Sequence, residues 1–250
     1  MQTELLKTYA QPVPRYTSYP TAPHFNSSVG PLRYLEWLDG LAPGQSLSLY
    51  AHIPYCQQLC WYCGCNTKAT RRYEPVADYL RSLDREIESI SALVPRAHAV
   101  THMHWGGGSP NILTAGDIAR LAARLRERLQ FTRSAEFAVE IDPRFLDERQ
   151  AAALAAAGVN RVSIGVQDFD AAVQAAIGRK QSYDATRLAI DLFRDRGIEG
   201  INIDLIYGLP RQTTSSLART IDLVMALAPQ RIAAFGYAHL PRRLRHQRLI

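Results

Sequence analysis

Residues 47–66 read LSLYAHIPYCQQLCWYCGCN and carry the two strongest signals in the chain. The first seven residues predict a short β-strand that ends before Pro54. All four cysteines of the chain then follow within ten residues, from Cys56 to Cys65, with the spacing C-x₃-C-x₂-C-x-C. A secreted disulfide framework would spread its cysteines along the chain, so this crowding indicates a metal or cluster site.

Two kinds of metal site are compatible with this spacing. Zinc could take four thiolates in a closed tetrahedron, but structural zinc sites usually come as two separated C-x₂-C pairs. An iron–sulfur cluster needs thiolates on separate irons. A C-x₃-C-x₂-C loop can supply three of them and leave one iron open for a substrate. We therefore favour the cluster and keep zinc as the alternative.

The rest of the chain alternates strand-like and helix-like segments. Further strands are predicted at residues 99–104, 136–141, 161–166, 201–207 and 231–237, with helices at 75–93, 114–129, 147–157, 168–177, 183–196 and 213–227. This alternation predicts an α/β fold, a parallel (β/α)6 partial barrel. Chemistry in such folds lies at the C-terminal ends of the strands. The cysteines, the glycine run at 106–110 and the segments at 142–143, 208–210 and 238–241 all follow strands.

We expect three parts in the chain. Residues 1–45 form an N-terminal extended segment, because prolines break up PVPRYTSYPTAP at 12–23, with a short helix at 32–41. Residues 46–241 form the (β/α)6 core. Residues 242–250 form a basic C-terminal stub, which we expect to be solvated.

Composition excludes several classes of protein. Of 250 residues, 47% are hydrophobic and 21% charged, which is typical of neither a disordered chain nor a membrane protein. We expect no membrane span and, since MQTELLKTYAQPVPRY lacks the apolar core of a signal peptide, a cytoplasmic location. The net charge of +6 permits an anionic partner but carries no signature of nucleic-acid binding.

Four features of the predicted strand ends have two interpretations each. Glu140 and Asp204 lie in apolar strands, where a carboxylate is costly unless it is bonded to a ligand or to a neighbouring helix. The glycines of WGGGSP at 105–110 let the backbone approach a ligand, but they would also suit a simple βα turn. Arg179 could bind a ligand or lie on the surface.

The C-x₃-C-x₂-C motif after the first strand resembles the radical S-adenosylmethionine (SAM) superfamily, particularly with the aromatic Tyr62 before the third cysteine. In that superfamily three thiolates hold a [4Fe–4S] cluster whose open iron chelates SAM. One electron cleaves SAM to methionine and a 5′-deoxyadenosyl radical. The resemblance implies that the cluster ligands are Cys56, Cys60 and Cys63, and that the backbone of WGGGSP meets the SAM amino group.

Within the superfamily the chain resembles the oxygen-independent coproporphyrinogen III oxidases. The resemblance is carried by PRYTSYPTA at 14–22, LYAHIPYCQQLCWYCGCN at 49–66, HWGGGSP at 104–110, EIDPR at 140–144, GVQDF at 165–169, NIDLIYGLP at 202–210 and YAHLP at 237–241. The haem-chaperone paralogues usually lack PRYTSYPTA, YAHLP and the cysteine that matches Cys65. A haem-binding paralogue without turnover remains the alternative function.

This resemblance implies a [4Fe–4S] cluster and two SAM molecules. Tyr50, Gly107 and Glu140 would contact the SAM on the cluster. The residues implied for the second SAM are Tyr62, Gly108, Ser109, Gln167, Arg179, Asp204 and Ala238. Cys65 would be catalytic without being a cluster ligand.

The implied reaction is oxidative decarboxylation of the ring A and B propionates of coproporphyrinogen III to vinyl groups, which gives protoporphyrinogen IX in haem biosynthesis. A flavodoxin-type electron donor and a monomeric state are implied with it. Enzymes of that family are much longer and carry a helical C-terminal region that helps to cover the active site. We expect a chain without this region to cleave SAM while forming little vinyl product.

Overall fold

The computed structural model describes residues 24–250 together with Glu4 and Thr8, and the proline-rich segment at 12–23 lies outside the described residues. The chain divides into two compact units, residues 1–41 and 42–250. The described part of the first unit contains helix α1 (Pro31–Asp39), where the sequence predicts a helix at 32–41. Proline suits the first turn of a helix, since its missing N–H has no partner there in any case.

The strands of the second unit are β1 (Leu47–Ile53), the short β2 (Tyr55–Cys56) and β3 (Lys68–Ala69), β4 (Ala99–Gly107), β5 (Gln130–Ile141), β6 (Arg161–Gln167), β7 (Gly200–Tyr207) and β8 (Arg231–Gly236). Six of them form one parallel sheet in the order β1-β4-β5-β6-β7-β8, and β2 and β3 pair separately. The helices are α2 (Glu74–Leu93), α3 (Ala115–Arg128), α4 (Glu148–Ala156), α5 (Ala171–Ala176), α6 (Tyr183–Arg194) and α7 (Thr214–Ala226). Helices separate every neighbouring pair of the six strands, which confirms the predicted parallel (β/α)6 architecture. In the described part of the chain β8 does not pair with β1, so the sheet is an open, partial barrel.

The two faces of the sheet differ in polarity, because successive side chains of a strand point to opposite faces. One face packs under the helices, and Trp105 and Phe137 meet there edge to face with ring centroids 4.9 Å apart. Most of the residues that alternate with this core are only partly buried or exposed, and they include Tyr50, His104, Glu140, Ser163 and Asp204. The polar face is therefore the one available to a ligand.

The boundaries of β4, β5 and α5 differ from the sequence prediction by three residues or more. Strand β4 ends at Gly107 rather than at residue 104. Strand β5 begins at Gln130 rather than at residue 136, because Gln130 and Phe131 pair with Ala99 and Val100 of β4 before the register shifts and pairing resumes at Glu136. Helix α5 begins only at Ala171. Asp168, which the sequence places in that helix, is fully buried and accepts hydrogen bonds from the Thr220 hydroxyl and the Gln212 amide at 2.7 and 2.6 Å.

The C-terminal residues 242–250 are not wholly solvated, which corrects the expectation from the sequence. Their four arginines are exposed, but Gln247 in the 3₁₀ helix Arg245–Leu249 is buried. Its amide donates to the carbonyls of Tyr62 and Ala238 at 2.9 and 3.2 Å. No helix among residues 24–250 combines the length and the apolar character that crossing a membrane requires.

Candidate active site

The cysteine loop, residues 54–67, is held at the C-terminal edge of the sheet by backbone contacts. The N–H of Trp61 donates to the Ile177 carbonyl at 2.9 Å. Gly178, with a φ of +64°, lies under the Trp61 ring, and a Cβ there would come within 2.7 Å of the indole. On the other side, His246 Nε2 lies 2.7 Å from the Cys63 carbonyl. The loop is therefore fixed from two directions.

All four cysteines are free thiols, and their surroundings differ. Cys60 is buried, Cys56 and Cys63 are partly buried, and Cys65 is exposed. The three cysteines predicted as ligands each have a close partner at sulfur. These partners are Thr67 Oγ1 at 3.4 Å from Cys56, the guanidinium groups of Arg144 and Arg179 at 3.4 and 3.3 Å from Cys60, and the Cys65 N–H at 3.4 Å from Cys63.

Two of the predicted ligand thiols, Cys56 and Cys63, have raised pKa values. Burial raises the pKa of Cys56 to about 11. Hydrogen bonding to Cys65, with burial, raises the pKa of Cys63, and the same interaction lowers the pKa of Cys65. A thiol must lose its proton to bind iron, and the iron then supplies the compensating charge. Three free thiols on one fixed loop thus fit the donor set of a cluster.

Within the described residues, no group of three or more His, Cys, Asp or Glu side chains is arranged to hold a metal ion, so the positions of the thiols alone do not distinguish a cluster from zinc.

The glycine run at the end of β4 packs directly on the start of the cysteine loop. The N–H of Gly108 donates to the Ile53 carbonyl, and that of Ser109 to the Tyr55 carbonyl, both at 2.8 Å. Gly107 has a φ of +108°, and a Cβ there would lie 2.9 Å from Nε2 of His52 and nearer to the other ring atoms. An ammonium ligand donates hydrogen bonds, so it would be bound by carbonyl oxygens of this run and not by its N–H groups.

The three residues predicted to contact the SAM on the cluster lie together. The Glu140 carboxylate accepts from the Gly107 N–H at 3.1 Å and lies 3.1 Å from His104 Nε2. The Tyr50 ring stacks on the His104 ring with centroids 5.7 Å apart. Burial and the Glu140 charge raise the pKa of Tyr50 to about 12. The partners of Glu140 belong to β4, so the alternative of a bond to a neighbouring helix is not what holds it.

Two histidines of this group, His104 and His52, are not among the residues predicted from the sequence. His104 links Tyr50 to Glu140, and His52, whose ring lies 3.1 Å from the Tyr50 hydroxyl, extends the group along β1. Both histidines lie in quoted motifs, HWGGGSP and LYAHIP, near the C-terminal ends of parallel strands. The strand-end rule could therefore have found them.

Asp204 forms a second polar group on the same face of the sheet. Its carboxylate accepts from the Ser163 hydroxyl at 2.9 Å and from the Asn202 amide at 2.8 Å. Burial raises its pKa. Its partners are in strands β6 and β7, so here too the carboxylate is held without a helix.

Arg179 is buried, so the alternative of a surface residue is wrong. Only 6% of its side chain is exposed, and it donates to the Gly165 carbonyl at 2.6 Å. Its Nε has no hydrogen-bond partner within the described chain, which a bound acceptor would supply. Nearby, Gln167 ends β6 with a φ of +71°, a strained conformation for a non-glycine residue that is common at functional sites.

The other residues predicted for the second SAM are engaged within the protein. Tyr62 packs with Val173, Ile177 and Leu209 in a small apolar cluster, and burial raises its pKa. The buried Ser109 hydroxyl donates to Asn111 at 2.7 Å, and the Ala238 carbonyl accepts from Gln247. The geometry thus brings Gln167 and Arg179 together near Gly165, and the role of all seven residues in SAM binding stays a prediction.

Comparison with known proteins identifies the family. Residues 50–224 match the model of the radical SAM superfamily. The chain belongs to the radical SAM superfamily. Membership implies a [4Fe–4S] cluster and SAM as cofactors. A solved structure of a radical SAM methyltransferase from Kitasatospora setae shares the fold, at 19% identity and a TM-score of 0.54 over 77% of this chain and 37% of that one.

Individual relatives are more similar. Oxygen-independent coproporphyrinogen III oxidases from Paracoccus denitrificans and Bradyrhizobium diazoefficiens are 43% and 47% identical, and each match covers 100% of this chain but 55% and 56% of the relative. The structure of coproporphyrinogen III oxidase from Escherichia coli matches 99% of this radical SAM chain with a TM-score of 0.91 and 41% identity, and 55% of that protein is covered. The chain thus spans about half the length of the relatives it matches.

Proposed function

We propose that this radical SAM chain acts on coproporphyrinogen III and converts the propionates of rings A and B to vinyl groups, giving protoporphyrinogen IX in porphyrin biosynthesis. The observation that carries the proposal is the similarity of the chain, along its whole length, to coproporphyrinogen III oxidases, with a TM-score of 0.91 to one solved structure. The fourth cysteine, Cys65, supports the same assignment.

The cluster and SAM, when bound, supply a 5′-deoxyadenosyl radical that takes a hydrogen atom from the β-carbon of a propionate, after which loss of CO₂ and of one electron to an acceptor leaves the vinyl group. The chain's own residues prepare for this. Cys56, Cys60 and Cys63 offer the thiolates from one fixed loop. Glu140, bonded to His104 and Gly107, presents a carboxylate on the polar face, where it can accept hydrogen bonds from SAM.

We also propose that two SAM molecules bind. Tyr50, Gly107 and Glu140 would hold the one on the cluster, a role that their mutual contacts support. The second would lie against Gln167, Arg179 and Asp204. This placement is supported by the strained backbone of Gln167 and by the Arg179 Nε, which has no hydrogen-bond partner among the described atoms. Cys65, exposed beside Cys63, is free to act as a catalytic thiol.

Three further features belong to the same proposal. A flavodoxin-type protein would deliver the electron, the protein would act as a monomer, and it would reside in the cytoplasm. Four free thiols suit a reducing compartment. The boundaries at residues 45 and 241 remain our proposed limits of the core.

The experiment uses coproporphyrinogen III deuterated at the β-carbons of its propionates. The iron-reconstituted chain is incubated anaerobically with SAM and dithionite, and 5′-deoxyadenosine and vinyl product are counted by mass spectrometry. We expect deuterium in the 5′-deoxyadenosine, with less vinyl product than cleaved SAM. Cys60→Ala, which removes a ligand, should form neither product. SAM cleavage without deuterium transfer would contradict the proposed substrate, and tight haem binding without turnover would support the haem-binding alternative.

A further inference from the structure

A buried ion group formed by Asp142, Arg144 and Arg179 lies beside Cys60. The Arg144 guanidinium donates to the Asp142 carboxylate at 2.6 Å through Nη2 and at 2.9 Å through Nε. Arg179 donates to the same carboxylate at 3.3 Å. The side chains of Asp142, Arg144 and Arg179 are only 9%, 8% and 6% exposed. The whole group is therefore shielded from water.

The charges of this group do not balance without the cysteine. Two guanidinium ions face one carboxylate, and a buried charge is costly unless it is paired. Both guanidinium groups also reach Cys60, whose sulfur lies 3.4 Å from Arg144 Nη2 and 3.3 Å from Arg179 Nη1. An anionic sulfur at this position completes the group.

Among the described residues, the two other predicted ligands have no guanidinium partner at sulfur. Cys56 has the Thr67 hydroxyl at its sulfur, and Cys63 has the backbone N–H and the side chain of Cys65. The loop thus distinguishes one ligand from the other two by charge. The difference lies in the strand-end segment after β5 and in Arg179, outside the cysteine loop itself.

Arg144 is held firmly in this position. The Asp142 backbone pairs with the buried Asn111 amide in both directions, each at 3.0 Å. The Arg144 guanidinium also lies over the Phe145 ring, 5.1 Å from its centroid. These contacts fix the donor before any cluster binds, which is what a tuning residue requires.

We propose that Arg144, anchored by Asp142, is a positioning residue for the Cys60 sulfur and that its charged N–H···S bond raises the reduction potential of the cluster. Adding an electron makes the thiolate sulfurs more negative, so a charged donor stabilises the reduced form more than the oxidised form. The inference rests on the cluster that the radical SAM family implies.

The test compares variants that change the charge beside Cys60 in opposite directions. Arg144→Met removes a positive charge, Asp142→Asn removes a negative one, and Arg149→Met removes an exposed positive charge five residues further along the chain. Each chain is reconstituted anaerobically, iron and sulfide per chain are measured, and the midpoint potential is determined by redox titration followed by electron paramagnetic resonance.

We expect Arg144→Met to lower the ratio of reduced to oxidised cluster, at a fixed potential, at least about threefold. This corresponds to a midpoint potential lower by about 28 mV for a one-electron couple. Asp142→Asn should raise the potential, and Arg149→Met should leave it unchanged. If Arg144→Met does not assemble a cluster, the rise in Asp142→Asn carries the test. Three results would overturn the inference: midpoint potentials that stay unchanged, potentials that move in the same direction in Arg144→Met and Asp142→Asn, or an equal change in Arg149→Met. A wild-type chain that takes up no iron would instead overturn the proposed function.

Discussion

Replacing Gly108 with alanine tests how the glycine run controls the cysteine loop. A Cβ at this position would lie 2.7 Å from the Tyr55 carbonyl carbon and 2.7 Å from Thr67 Oγ1, and closer still to the Tyr55 oxygen. Backbone cannot yield as a flexible side chain does. Because carbon atoms need about 3.5 Å, the two segments must separate by about 0.8 Å. Cys56 directly follows Tyr55, so the first predicted ligand moves with the displaced backbone.

The structure also sets the size of the effect. The separation weakens two hydrogen bonds, from the Gly108 N–H to the Ile53 carbonyl and from the Ser109 N–H to the Tyr55 carbonyl, each worth about 0.5–1.5 kcal/mol. Residual overpacking adds about 1–3 kcal/mol. We therefore expect the free energy of unfolding to fall by about 2–6 kcal/mol, and the iron bound per chain to fall with it.

Gly116→Ala is the matched control, since it adds the same methyl group where space is open. The nearest atom to a Cβ there is 3.9 Å away, and the residue lies in helix α3, where alanine is favoured by up to about 1 kcal/mol. Urea unfolding and iron analysis of both variants make the comparison. A Gly108→Ala chain with wild-type stability and full iron content would refute the reasoning, because the close approach would then be dispensable.

Three further predictions follow from the site and from one helix cap. Cluster assembly should be lost on replacement by alanine of Cys56, Cys60 or Cys63, whereas Cys65→Ala should keep its iron and lose product; equal iron loss in all four variants would contradict the ligand assignment. Glu140→Gln should weaken SAM binding measured by calorimetry without lowering the unfolding midpoint, and an unfolded variant would instead indicate a packing role. Burial alone would raise the pKa of Asp117, but hydrogen bonds from Tyr73, Thr114 and Arg120 together outweigh it and lower the pKa. Asp117→Asn should therefore destabilise the chain by about 1 kcal/mol at pH 7. That stabilisation is present above the unfolded pKa of about 3.9 and disappears as pH falls through the lower folded value, so urea midpoints of the two chains should converge in acid.

The order of the elements and the position of the site follow directly from the sequence. Parallel strands bring their C-terminal ends to one edge, which is why Tyr50, Gly107 and Glu140, distant in sequence, could be expected to meet. Strands β6 and β7 can be predicted in the same way, because both are rich in apolar residues. In contrast, the polar first half of β5 carries no apolar pattern, and the strand starts early only because Gln130 and Phe131 pair with β4.

Features that depend on exact contacts could not be predicted. The sequence shows that His104 and Arg144 lie near strand ends, but not that one bridges Tyr50 and Glu140 or that the other reaches the Cys60 sulfur. The same limit applies to the C-terminal residues. A cluster of arginines indicates a solvated segment, and the single buried Gln247 that fixes it to the cysteine loop has no signature in composition.

The central claim is that three cysteines of this loop bind a four-iron cluster and leave one iron free for SAM. Mössbauer spectroscopy of the chain reconstituted with ⁵⁷Fe, recorded before and after addition of SAM, tests it most directly. We predict a [4Fe–4S] spectrum in which SAM makes one iron of the four distinct, and the same change in Cys65→Ala. The ligand assignment would be contradicted if all four irons stay equivalent with SAM, or if a distinct iron appears only when Cys65 is removed.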